Sequence, residues 1–163
     1  MAFMKKNFIY WGAGILVLAG VIWLGVNANP NNTPAGPVSF SLDREKVDLG
    51  EMAVEDERTA EFILTNNGTT PLLLTQFETS CNCTFAKVFN EEKESPLFNM
   101  RAHMPNSDYY WQTDLAPSGQ ARIQVIYKPS LMPVYGPVER SLRFKTSDSN
   151  QPIVELSVKA FVK

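Results

Sequence analysis

From Val38 onward, apolar side chains recur at every second position, and that rhythm restricts this chain to strands with one buried face. Val38-Ser-Phe-Ser-Leu42 alternates. Ala60, Phe62 and Leu64 share a face, as do Ala121, Ile123, Val125 and Tyr127. Leu142 with Phe144, and Val154, Leu156, Val158 and Ala160, repeat the pattern, and Leu72 to Thr79 reads as a further strand. No stretch of this region carries an apolar stripe at helical spacing. Short strands separated by turn signals predict an all-β fold, an Ig-like antiparallel β-sandwich over residues 38–163. The widely spaced Cys…Trp…Cys pattern of antibody domains is missing, so the expectation stops at Ig-like. Asn67-Gly68, within the turn cluster Asn66 to Pro71, is a strong hairpin signal and predicts a hairpin there.

One segment breaks the rhythm. Residues 89–117 hold acids, prolines, Met100, Met104, the single histidine His103 and the run Tyr109-Tyr110-Trp111. A connection this long is an insertion rather than a hairpin loop, and its aromatic content predicts that it packs. The aromatic run has two readings, a binding platform or packing of the loop onto a sheet face, and packing is expected.

Ahead of the sandwich, Phe8 to Val26 contains no charged residue. As a helix it would span about 28 Å, close to the hydrocarbon thickness of a bilayer. Trp11 and Trp23 stand near its ends, where indole rings favour the interface, and Lys5 and Lys6 precede it. The expected layout is a cytoplasmic N-terminus at 1–7, a transmembrane anchor at 8–26 bounded by Phe8 and Val26, and a linker at 27–37. The sandwich at 38–163 then lies on the periplasmic or extracellular side. The alternative is a signal peptide cut near Ala28, which also exports the domain. The linker, NANPNNTPAGP, is rich in Asn, Pro and Gly and reads as a tether.

Asp48-Leu-Gly50, Phe62 to Gly68, Pro71-Leu72 and above all Ser80-Cys-Asn-Cys-Thr84 resemble a bacterial domain-of-unknown-function family, number fifteen seventy-three. Pro117-Ser-Gly119, Ala121 to Tyr127 and Thr146-Ser-Asp148 continue the likeness, which runs from about Val38 to Val162. It implies an exported sandwich related to hydin-type Ig-like domains, and implies no activity. Some members are similar further, through Glu94 to Met100 and Tyr127 to Pro137. They carry histidines where this chain has Arg101 and Met132. Asn82 stands where the family motif has glycine; asparagine tolerates left-handed backbone, so a left-handed turn is expected to survive there.

Cys81 and Cys83 are the sharpest chemical feature. In extended chain their sulfurs point to one side, a geometry suited to clipping a soft ion such as Cu(I). Met100, His103, Met104 and Met132 are the thioether and imidazole donors that could complete such a site. Met100 would meet His103 or Met104 if the loop makes one helical turn. An exported location favours a Cys81–Cys83 disulfide instead, and inert packed thiols or a redox site are the remaining alternatives. The methionines read equally as pliable core filler.

The formal net charge of −2 argues against nucleic acid as a partner. No nucleophile elbow, phosphate loop or two-histidine metal motif is visible, so no enzyme activity and no catalytic residues are expected. The expected function is a non-catalytic binding or structural module of the cell envelope, contacting the membrane through its anchor and an envelope or extracellular protein through its sandwich. A Cu(I) or thiol-redox site at Cys81 and Cys83 is the alternative.

Overall fold

The computed structural model describes residues 36–91 and 93–163. The expected anchor with Phe8, Trp11, Trp23 and Val26, and nearly all of the linker, lie outside the described residues. Among the described residues, no helix is long and apolar enough to cross a membrane.

Among the described residues, nine strands form two sheets. They are β1 (Phe40–Leu42), β2 (Lys46–Met52), β3 (Arg58–Asn66), β4 (Leu72–Thr79), β5 (Thr84–Phe89), β6 (Gln112–Leu115), β7 (Gln120–Tyr127), β8 (Gly136–Thr146) and β9 (Ile153–Val162). One sheet has the order β1-β3-β7-β5 and the other β2-β9-β8-β4-β6. The alternation read from the sequence is the inward face. Phe62, Leu64, Ala121, Ile123, Val125 and Tyr127 on one sheet, and Leu72, Leu74, Leu142, Phe144 and Leu156 on the other, are fully buried. Burying a side chain of this kind contributes about 1.5–3 kcal/mol, and the two stripes together make the core.

The sandwich departs from the sequence expectation in three places. First, it is not wholly antiparallel: β2 runs parallel to β9, with a register shift between Asp48 and Glu51 where Gly50 takes φ +73°. In β2 the alternation runs only through Val47 and Leu49 before it breaks after Gly50, too short to announce the strand.

Second, Asn67-Gly68 is not a hairpin turn. β3 pairs with β1 and β7, while β4 pairs with β6 and β8, so this connection crosses between the sheets. The amides of Asn67 and Gly68 both donate to the Ser39 carbonyl, at 2.9 and 3.0 Å. Glycine is needed here for close approach, because a Cβ at position 68 would lie 2.5 Å from the Pro37 carbonyl oxygen.

Third, Asn82 is not left-handed; the non-glycine residues with positive φ among those described are Gln76 and Ser118. Gln76 marks the bulge between Thr75 and Glu78 in β4. The 89–117 insertion is built from short ordered pieces. Residues 94–98 bridge back to β5 through Phe89↔Glu94 and Ala86↔Phe98, covering its free edge. A 3-10 turn (Arg101–His103), one helical turn (Asn106–Tyr109) and β6 follow. Phe98 and Trp111 pack with Phe77 at ring-centroid distances of 4.7 and 5.9 Å, so the insertion does pack.

The cross-sheet link at 67–71 hangs on one buried side chain. Asn66 Nδ2 reaches the carbonyl oxygens of Thr70, Leu115 and Ala116 at 2.9, 2.8 and 3.2 Å, and its Oδ1 accepts from the Gly68 amide at 2.9 Å. Asn66→Ala takes the shared donor from the Thr70 and Leu115 carbonyls, while the Gly68 amide and the Ala116 carbonyl keep Ser39 and Gly119. A buried group left unsatisfied costs about 1–3 kcal/mol. Urea unfolding of the variant should show a loss of about 3 kcal/mol; a loss below about 1 kcal/mol would show that the network is not what fixes this end.

Candidate functional site

At the opposite end of the sandwich two further links pass between the sheets. Residues 80–83 join β4 to β5, and residues 128–135 join β7 to β8. They are fastened to each other: the Lys128 amide donates to the Cys83 carbonyl at 2.9 Å. The outer residues of the Ser-Cys-Asn-Cys-Thr run act as clamps. The Ser80 amide donates to the Ser141 carbonyl and Ser80 Oγ accepts from the Ser141 amide, both at 2.9 Å. Thr79 Oγ1 lies 3.0 Å from the Cys81 carbonyl oxygen and 2.9 Å from that of Thr84, whose amide donates to the Cys81 carbonyl at 3.0 Å. Asn99 Nδ2 holds the Asn82 carbonyl at 3.3 Å. The turn is therefore set by its backbone bonds.

Within it, Cys81 and Cys83 are joined as a disulfide, with Cα atoms 5.1 Å apart. The two sulfurs are not equivalent. Cys83 is completely buried, and Arg140 Nε donates to its sulfur at 3.4 Å. Cys81 retains 7% exposure, and its sulfur touches Met132 Sδ at 3.8 Å. Arg140 projects from β8 with its guanidinium 5.9 Å from the ring centroid of Tyr127. Burial pushes the Tyr127 phenol above its usual range, and the neighbouring Arg140 charge opposes that shift. The Tyr127 hydroxyl is buried without a hydrogen-bond partner of good geometry. Among the described residues no carboxylate pairs with Arg140; besides the sulfur it finds the Glu139 carbonyl at 3.0 Å.

Of the soft donors singled out in the sequence, the structure brings Met132 to the cysteines. Met100, His103 and Met104 do share a single turn, where the His103 amide donates to the Met100 carbonyl at 2.8 Å. Their side chains part, however: Met104 is buried in the core and His103 is exposed. Among the described residues no three His, Cys, Asp or Glu side chains cluster to hold a metal ion. Of the aromatic run, Trp111 and Tyr109 pack against the core and Tyr110 stays exposed.

Arg140 and Tyr127 were not among the candidates. Arg140 carried a legible signal, since it falls in the inward period of Val138, Leu142 and Phe144, where an apolar residue is expected. A cation in that register is a local exception to the apolar stripe, and Arg140 sits there half-buried.

The bridge closes a loop of only three residues, counting both cysteines. Such a loop removes little entropy from the unfolded chain, about 1.5 kcal/mol by the chain-entropy relation. Urea unfolding with and without a phosphine reductant should show one cooperative transition in both cases, with a difference no larger than about 2 kcal/mol. A loss above about 4 kcal/mol would make the bridge a structural staple.

Comparison with known proteins places the fold. The family described as Protein of unknown function (DUF1573) matches residues 40–96, ending where the insertion gets under way. No curated protein matches the chain. A protein of unknown function from Porphyromonas gingivalis W83 superposes with a TM-score of 0.57 at 18% identity, covering 82% of this chain and 51% of that one. This chain thus spans about half the length of that relative. A family 123 glycoside hydrolase from Clostridium perfringens gives 0.53 at 10% identity, over 77% of this chain and 27% of the other. Identities this low speak for the fold alone. The chain is a two-sheet β-sandwich whose residues 40–96 carry the pattern of the DUF1573 family.

Proposed function

We propose that this chain is a membrane-anchored, exported Ig-like domain that serves as a non-catalytic contact module of the cell envelope. The observation that carries the proposal is the β7–β8 link. Residues 130–135 are all exposed, and they include Leu131, Met132, Val134 and Tyr135, the last at 66%. A contiguous apolar ridge of this kind is costly to leave in water and marks a contact surface. Between the exposed Ile153 and Phe161, the outer face of the five-stranded sheet is charged: there Lys46 and Lys159 pair with Glu139 at 2.8 and 4.0 Å, and the Glu139 carboxyl is held below its usual range by the Lys46 hydrogen bond. The partner that fits the ridge is an envelope protein with an apolar cleft able to take Tyr135. The uncharged 8–26 segment behind Lys5 and Lys6 supports the exported placement.

The test is a photo-crosslinking amino acid placed in the full chain at Tyr135, with Glu155 on the charged outer face as control. Tyr135 should give one defined adduct in the membrane fraction and Glu155 none. Equal or absent adducts at both positions would refute the ridge as a contact surface.

A second reading, soft-metal binding, is favoured by the Met132–Cys81 contact of 3.8 Å. Once reduced, Cys81, Cys83 and Met132 offer three sulfur donors to Cu(I), and the Arg140 charge balances the second thiolate. The reduced chain should compete with a chromophoric chelator for Cu(I), and Met132→Ala should weaken binding about tenfold, or 1.4 kcal/mol. Reduced protein that fails to compete ends this reading.

A further inference from the structure

The asymmetry of the bridge supports more than a resting disulfide. We infer that Cys81–Cys83 is a directional thiol–disulfide exchange site whose substrate is a protein dithiol, with Cys81 the sulfur attacked and Cys83 the sulfur released.

Attack by a thiolate runs along the sulfur–sulfur axis, and the sulfur that departs must carry negative charge. Cys81 keeps 7% exposure, with Met132 and the Cys83 amide (donating at 3.0 Å) against its sulfur, while Cys83 is completely buried against the Arg140 guanidinium. Attack at Cys81 therefore expels a Cys83 thiolate directly onto a cation that lacks a carboxylate partner among the described residues. Attack at Cys83 has no path from solvent and would leave its charge on Cys81, whose sulfur accepts from the Cys83 amide and not from the guanidinium. An opposite charge this close favours the thiolate and so the released state. Arg140 is a positioning residue here, and Met132 is the cap.

The electrons balance as follows. A partner thiolate bonds to Cys81 Sγ while the Cys81–Cys83 bond breaks, giving a mixed disulfide and the Cys83 thiolate. The partner's second thiolate then attacks its own sulfur in that mixed disulfide and expels the Cys81 thiolate. The partner dithiol loses two electrons and two protons and becomes a disulfide; the bridge gains them as two thiols. One bridge is consumed per partner dithiol. The turn survives the change because it is held by the Thr79, Thr84, Lys128 and Asn99 hydrogen bonds.

The choice of a protein over a small thiol rests on the ridge being a contact surface, as proposed above. Met132 belongs to that ridge. A polypeptide that packs on Leu131, Val134 and Tyr135 can use its binding energy to push Met132 aside, whereas a small thiol cannot.

The test follows reduction of the oxidised full chain by two probes, reduced glutathione and a reduced unfolded polypeptide with two cysteines. The polypeptide should react at least about tenfold faster per thiolate, Met132→Ala should speed glutathione alone, and Leu131→Ser with Tyr135→Ser should slow the polypeptide alone. Arg140→Gln should slow both probes by about three- to tenfold, and Arg140→Lys should restore most of the rate. In single-cysteine chains, Cys81 left by Cys83→Ala should form mixed disulfides at least about tenfold faster than Cys83 left by Cys81→Ala. In the latter chain the pH profile of Cys83 alkylation should move to higher pH when Arg140→Gln is added. If the two cysteines react alike, or if Arg140→Gln alters neither the rate nor the profile, the exchange site is overturned. If those effects hold and the ridge variants change nothing, the protein-dithiol assignment and the ridge fail together, while the direction of exchange stands.

Discussion

Two apolar stripes that must meet without water set the terms for everything else in this molecule. Phe62, Ile123 and Val125 on one sheet face Leu74, Phe144 and Leu156 on the other, and all are fully buried. A link between the sheets has to arch round an open end of that dry layer, and its backbone amides and carbonyls still need partners. The two ends meet this demand with different chemistry. Beside Gln120, at the start of β7, a neutral amide suffices: Asn66 ties three carbonyls and one amide. Beside Tyr127, at its finish, the closure uses a disulfide, a thioether and a guanidinium. A fixed amide network can only be made or broken. Sulfur can change its oxidation state, and the chemistry proposed for the protein belongs to the second end.

How far the sequence could be read follows from the range of each signal. Alternation is a local consequence of transfer free energy, so the inward residues of β3, β7, β8 and β9 were legible one by one. Asn67-Gly68 is also a local signal, but whether a turn makes a hairpin or crosses between sheets depends on Asn66 finding Leu115 and Ala116, about fifty residues away in the chain. Asn82 failed as a left-handed position for a related reason: the turn is held from outside by Asn99, Lys128 and Thr79, so it does not need the backbone conformation the glycine motif suggested. β2 was missed because its residues are charged and its pairing is parallel. At the site, the cysteines and Met132 could be named as chemically apt, yet their meeting depends on two crossings landing at one end. Arg140 was legible in principle as a charge in an apolar register, a local contradiction of the kind functional sites carry.

That contradiction has an energetic side. Drawing a guanidinium toward the core costs desolvation, and the ring of Tyr127, the Glu139 carbonyl and a neutral disulfide return little of it. A leucine there would extend the stripe of Val138, Leu142 and Phe144 at no such cost. In the proposed exchange, the anion that Arg140 lacks is supplied by the Cys83 thiolate as it is released. On that proposal, the residue that interrupts the apolar register of β8 also favours acceptance of electrons by the bridge.

Contact and sulfur chemistry are not rival uses of this end, because Met132 belongs to both. It stands in the exposed ridge beside Leu131 and Val134, and its sulfur rests on Cys81. A protein that seats an apolar cleft over the ridge cannot do so without disturbing the contact that shields the bridge. Conversely, reduction removes the disulfide on which Met132 rests and leaves two thiols under it. Docking and redox state are coupled through one side chain, and coupling of that kind is reciprocal: whatever binding does to the bridge, the state of the bridge does to binding by the same free energy. A module with such a ridge would hold its partner differently in its oxidised and reduced forms even if it never turned over a substrate.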